Sequence, residues 1–316
     1  MTAAPEVGVA INEDLLIPDP AARRRILDHI AEAGLDHVTT GDHISFHGGA
    51  GFDGLVSATS VLAAHDSLSV LVGVYLAGLR HPMVTARQLA TISQLAPGRL
   101  VLGVGVGGED RGEISNAGVD PATRGRRLDE TLQVLRRLAT GETVDHDGPF
   151  FSLRQARILP PPEPRVPLVI GGSGDAAVRR TAAYGDGWLG IFCSARRFAA
   201  TVERVRDAAT ELGRPAPSWF GLSLWCGLGT DGARARKHLV RRLEALYHLP
   251  AEKFQHVTAA GTPEEVAARL VPYVEAGAGH LTLVTVADSV HEGIDLAAEV
   301  RRALQAEFAL APEAGR

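Results

Sequence analysis

The strongest constraint on this chain is a rhythm. Short apolar runs and helical patterns alternate along almost the whole length. The runs fall at residues 7–11, 37–40, 69–76, 99–106, 167–171, 187–192, 219–228 and 280–286. Helical patterns stand between them at 20–33, 53–65, 82–95, 121–140, 175–183, 195–212 and 263–276, and a last one covers 292–307. Most of the runs are continuously apolar. That pattern marks strands buried on both faces, as in parallel sheets. Eight such units in 316 residues fit a closed (β/α)8 TIM barrel. An open doubly wound sheet is the alternative. It places its glycine fingerprint after the first strand, whereas here Asn12 and Glu13 follow.

Two stretches break the rhythm, at about 141–167 and 229–260, and read as insertions in a single domain spanning 1–316, the second holding a helical and irregular piece from Ala233 to Ala260. The first contains GPFFSL and ILPPPEP and is too long for an ordinary βα loop. It suggests an extended hairpin with a proline-stiffened return.

Composition excludes several classes. The formal net charge is −5, and only Lys237 and Lys253 among the 32 basic residues are lysine. No lysine-rich patch is present, which argues against nucleic acid as a partner. No apolar stretch approaches the roughly 18 residues needed to span a membrane. The opening MTAAPEVGVA lacks a basic region and a long apolar run, so a cytoplasmic location is expected. Cys193 and Cys226 are too few for a disulfide framework and read as buried thiols. No Cys/His cluster has metal-ligand spacing, so no metal is expected.

A barrel carries its active site at the C-terminal ends of the strands. The polar residues there form the candidate set. Asn12 follows the first strand; Asp42, His43 and His47 follow the second. Gly78, Arg80 and His81 follow the third, and Gly105-Val106-Gly107-Gly108-Glu109 the fourth. The fifth is followed by Gly171-Gly172-Ser173-Gly174. That turn opens a helix, where backbone N–H groups and the positive helix end suit a phosphate; a tight turn needing glycine torsions is the plainer reading. Asp42-His43 is the strongest acid–base pair, because histidine titrates nearest neutrality. Glu109 reads as a proton donor or as a solvated loop charge. No strand ends in lysine, which removes Schiff-base chemistry there.

Four segments together resemble one family: VGVYLAGLRHPMVTARQLATISQLAPGRLVLGVGVGGE, PATRGRRLDETLQVLRRLATGE, PLVIGGSGDAAVRRTAAYGDGWLG and GTPEEVAARLVPYVEAGAGHLTLV. The chain resembles the bacterial luciferase-like flavin and deazaflavin oxidoreductases, a (β/α)8 superfamily. The resemblance implies a cis, non-proline peptide at Gly73-Val74 beside the cofactor ring. It implies a phosphate cradle at Gly171, Gly172, Ser173 and Gly174, an adjoining turn at Gly187-Trp188, and ring-flanking backbone at Gly105, Val106 and Gly107. The branch using reduced FMN often carries Glu-His-His after strand two, and the coenzyme F420 branch Ser-Asp-His. Gly41-Asp42-His43 is similar to the latter. By that likeness His43 and Glu109 move protons, and Asp42 orients His43 or the ring. The sugar-phosphate dehydrogenases of the branch carry tryptophan where this chain has His47, which argues against a sugar phosphate.

The resulting expectation is an F420-dependent oxidoreductase passing hydride to or from a small organic substrate lined by Asn12 and His47. The alternative is a luciferase-like monooxygenase using FMN with NAD(P)H and oxygen. A non-catalytic relative and an unrelated phosphate-binding barrel are more distant readings. The family also implies a homodimer.

Overall fold

Helix starts in this chain are written in the sequence. Asp19, Asp53, Asp110, Ser194, Asp231 and Thr262 each accept a hydrogen bond from a backbone N–H of the turn they precede. Such caps satisfy donors that a helix leaves unpaired. The computed structural model describes residues 3–11, 19–108 and 110–309.

In chain order the strands are β1 (Glu6–Ala10), β2 (His37–Thr40), β3 (Ser69–Tyr75), β4 (Leu100–Val104), β5 (Val144–Asp147), β6 (Ser152–Ala156), β7 (Leu168–Gly171), β8 (Gly187–Ile191), β9 (Trp219–Leu228), β10 (Ala259–Gly261) and β11 (His280–Val286). The helices are α1 (Pro20–Glu32), α2 (Gly54–Ala64), α3 (Pro82–Leu95), α4 (Arg111–Asn116), α5 (Arg124–Leu138), α6 (Asp175–Tyr184), α7 (Ala195–Glu211), α8 (Gly232–Tyr247), α9 (Pro263–Glu275) and α10 (Val290–Ala309). The fold class is the (β/α)8 barrel, with eight parallel strands and helices on the connections.

The described residues form two compact units, Met1–Thr39 with Trp188–Arg316, and Thr40–Gly187. In the first unit β1 pairs in parallel with both β2 and β11, so the first and last main strands are neighbours. The sheet closes where β8 pairs with β9, which sets the open alternative aside. β11 then pairs with β9, and β9 with β10. Inside this unit a polar group is buried with the strands. His37 Nε2 lies 3.1 Å and Thr39 Oγ1 2.8 Å from Thr282 Oγ1. Cys193 and Cys226 are buried, unbridged thiols, and burial pushes both upward, Cys193 to about 11.

In the second unit β3 pairs with β4, and β4 with β7, all parallel. Helices α3 and α5 close their apolar faces together through Ala86, Ala90, Leu135 and Leu138. Residues 141–167 contain an antiparallel pair, β5 with β6, and two cis prolines, Pro160 and Pro164. Glu130 of α5 anchors that hairpin. Its carboxylate accepts from Phe150 N, Phe151 N and the His146 ring.

Two elements have no counterpart in the sequence reading. α4 and β10 span six and three residues, too few to show a period.

Candidate active site

Parallel strands carry their C-terminal ends to one side of each unit, and the second unit collects most of the candidate residues there. The Gly73-Val74 peptide at the end of β3 is cis. The Val74 side chain that follows lies across neighbouring glycines. A Cβ on Gly105 would stand 2.5 Å from Val74 Cγ2, one on Gly171 2.8 Å from Val74 Cγ1, and one on Gly103 3.3 Å from Cγ1. Gly105 and Gly171 therefore make room for Val74 of β3. Val106 and Gly107 follow, half-buried, with Gly107 at φ +67°.

Gly172, Ser173 and Gly174 form an exposed turn running into α6. Gly172 adopts φ +110°, a torsion that favours glycine. A Cβ on Gly174 would meet nothing within 4 Å. The exposed carboxyl-bearing Asp175 stands in the first turn of the helix.

Gly187 and Trp188 prove to be elsewhere. They begin β8 rather than end a strand. The preceding residue, Asp186, bonds the N–H of Leu168, the first residue of β7, so this turn lies at the opposite end of β7 from Gly171. The Trp188 ring is buried against Phe198 at 5.1 Å between centroids, as a core side chain. The physical reason is strand polarity: a residue that opens a parallel strand is a full strand length from the mouth.

Asp42 is also corrected. Its carboxylate is buried and fully used. Oδ1 accepts from Gly54 N and Arg80 Nη2, and Oδ2 from Leu76 N and Arg80 Nη1, each at 2.8 Å. Burial pushes the Asp42 carboxyl up, while Arg80 and the two backbone donors pull it back. Arg80 also reaches Asp53 Oδ2 at 2.8 Å and lies over the Tyr75 ring. Asp42 makes no bond to the His43 ring. It ties its loop to the residues after β3 and to the cap of α2.

His43 is held by a residue the sequence reading passed over. Its Nδ1 lies 3.2 and 3.3 Å from the two oxygens of Glu113, a buried side chain on α4. Glu113 Oε1 also accepts from Ile44 N at 2.6 Å and Ser45 N at 3.2 Å. The His43 side chain is 37% exposed, and its ring stacks on Phe46 with centroids 4.2 Å apart. Phe46 in turn packs on His47, whose φ is +37° and whose N–H donates to Asp110 Oδ2 at 2.9 Å. Asp110 caps α4 with its other oxygen. One signal was available: Asp110 and Glu113 have the spacing of a capping box. The structure uses that glutamate on another loop instead.

Asn12 and Glu109 lie outside the described residues. Among those described, no group of three or more His, Cys, Asp or Glu side chains is arranged to hold a metal ion. No helix among them is long and apolar enough to cross a membrane.

Residues 3–248 match the profile of a family described as luciferase-like monooxygenase. An uncharacterised protein of Mycobacterium tuberculosis is 32% identical over 159 residues, which is 49% of this chain. The matched region spans about half of that relative's length, 54%. An F420-dependent glucose-6-phosphate dehydrogenase of Rhodococcus hoagii is 29% identical over 283 residues, covering 79% of this chain and 83% of the relative. Among solved structures, an F420-dependent secondary alcohol dehydrogenase in complex with an F420-acetone adduct superposes with a TM-score of 0.83 at 20% identity, covering 95% of this chain and 99% of that one.

Proposed function

Because the chain belongs to the luciferase-like monooxygenase family, we propose that it is an F420-dependent oxidoreductase that passes a hydride between the deazaflavin and a small organic substrate. The observation that carries this reading is His43, half-exposed after β2 and held by the buried Glu113, in a chain similar over 79% of its length to an F420-dependent dehydrogenase.

The residues present fit such a cofactor. The exposed turn of Gly172, Ser173 and Gly174 opens a ten-residue helix and offers backbone donors to a phosphate. Val74, seated on glycines, gives an apolar surface for a flat ring, with Gly73, Gly105, Val106 and Gly107 around it. Bound there, F420 supplies a two-electron hydride carrier that scarcely reacts with oxygen. His43 gives or takes the proton that accompanies the hydride, at the substrate oxygen or nitrogen. Asp42 and Arg80 hold the loop that carries it. In this reading His47 lines the substrate side, and Glu109 is the second candidate for the proton. With His47 where sugar-phosphate dehydrogenases of the branch carry tryptophan, the substrate is an alcohol, carbonyl or imine without a required phosphate.

The competing reading is an FMN-dependent monooxygenase, which the family description favours. Titrating the purified protein with oxidised F420 and with FMN, and following fluorescence quenching, separates the two. Saturable quenching by F420 supports the proposal; tight FMN binding with none for F420 overturns it. His43→Ala should cut turnover on the order of a hundred-fold while F420 still binds. Unchanged turnover in that variant would remove His43 from the mechanism.

A further inference from the structure

The surroundings of the His43 ring leave it little freedom. Phe46 stacks on one side. Gly51 passes so close that a Cβ there would stand 2.5 Å from His43 Cβ. Nδ1 faces Glu113, and Nε2 has no partner among the described residues. A carboxylate only accepts hydrogen bonds, so an N–H must stand on Nδ1. The lone pair of the neutral ring is then on Nε2, the one ring nitrogen left to meet a substrate.

We propose that Glu113 is the positioning residue that sets the tautomer of His43, keeping the ring proton on Nδ1 and Nε2 available to exchange a proton with substrate. The inference rests on the proposed use of His43 as proton carrier. Glu113 is suited to the task because both of its oxygens are engaged. Oε1 is fixed by Ile44 N and Ser45 N, and Asp110 fixes the backbone beneath it by accepting from Glu113 N at 3.2 Å. The carboxylate therefore cannot swing away from Nδ1 without leaving two N–H groups unsatisfied. The same turn grips the loop a second time through His47 N and Asp110. Histidine and glutamate lie seventy residues apart in the chain, yet they act as one unit.

Glu113→Gln separates this role from a merely structural one. The amide oxygen can stay on Ile44 N and Ser45 N, where Oε1 is now. The amide NH2 then takes the place of Oε2 and donates to Nδ1. That donor forces the ring proton onto Nε2, with the loop otherwise intact. In serine proteases the equivalent change, aspartate to asparagine behind the histidine, keeps the geometry and lowers turnover about 10^4-fold through the wrong tautomer.

The test is a two-bond proton–nitrogen NMR spectrum of the full chain with 15N-labelled histidine, the His43 signals assigned by their loss in His43→Asn. The expected result is a protonated Nδ1 and a bare Nε2 in the parent, the reverse in Glu113→Gln, and the parent pattern in Glu113→Asp, which keeps the acceptor. A parent ring protonated on Nε2, or an unchanged pattern in Glu113→Gln, overturns the proposal. Turnover with F420 should fall on the order of ten- to a hundred-fold in Glu113→Gln, with the F420 dissociation constant within a few-fold of the parent. The spectrum is read without cofactor. It therefore stands or falls apart from the use of His43 as proton carrier, which fails instead if His43→Ala turns over like the parent, and apart from the F420 reading, which the F420 and FMN titration decides.

Discussion

Val74 occupies the space that a side chain at Gly105 would need: a Cβ on Gly105 stands 2.5 Å from Val74 Cγ2. The same valine leans on Gly171 from another strand. A small set of glycines thus lets one apolar side chain cross the ends of β3, β4 and β7.

Gly105→Ala should destabilise the protein by about 1–3 kcal/mol, the usual cost of overfilling a packed site. Val74→Ala in the same chain returns the space. The double variant should therefore lose less than the two single losses added together, read by thermal unfolding of all four chains. Strict additivity would show that the two residues do not compete for one volume.

Arg80 bridges Asp42 and Asp53 while itself mostly buried. Arg80→Met strands the Asp42 carboxylate on two backbone donors. The expected loss is about 3 kcal/mol, as for other broken buried pairs. Arg80→Lys should recover only part of it, since a point charge cannot serve both carboxylates in the fork geometry of a guanidinium. Urea unfolding midpoints decide the order parent, lysine, methionine.

Burial and the neighbouring His280 hold His37 down, to about 4, against an ordinary value near 6.5. The unfolded chain then binds the extra proton first as pH falls. Stability from the neutral ring is complete above about pH 6.5 and drains away as pH drops toward 4. The full loss approaches about 3 kcal/mol, at roughly 1.4 kcal/mol for each pH unit. Urea midpoints measured across this window should fall in the parent and change less in His37→Gln. Parallel curves for the two proteins would contradict a buried neutral His37.

Glu130 ties the β5–β6 hairpin to α5 through Phe150 N, Phe151 N and His146 Nε2. Glu130→Ala leaves those donors buried and unpaired, costing on the order of 2 kcal/mol. Limited proteolysis should then cut first within residues 141–167. Cleavage elsewhere at the same protease level, with this stretch intact, would show that the hairpin is held by its apolar contacts instead.

Asp175 places a negative charge beside the turn proposed to hold a phosphate. Asp175→Asn should tighten F420 binding two- to five-fold, about 0.3–1 kcal/mol at a helix start. Weaker binding in that variant, read by the same fluorescence titration, would move the phosphate away from α6.

The eight parallel strands were legible because burial on both faces leaves a continuous apolar run, a signal carried by adjacent residues. The helix starts were legible for the same reason, since Asp19 or Thr262 caps its own next turn. Gly187-Trp188 was drawn to the cofactor by the family resemblance alone; the apolar run at 187–192 already opens a strand there, and the Asp186 bond to Leu168 N puts that start at the far end of β7 from Gly171. α4 was missed because six residues show no period, and with it went Glu113.

The amino-acid order by itself determined the barrel rhythm, the glycine turn after β7 and the candidate histidine, because each rests on local spacing. The tertiary structure decided which carboxylate serves that histidine and which is spent elsewhere. Asp42, adjacent to His43, is consumed by Arg80 and two backbone N–H groups; Glu113, seventy residues away, takes the ring. A side chain's partners depend on where its carbon–carbon bonds point once strands and helices are packed, and neighbours in sequence leave a strand end in different directions.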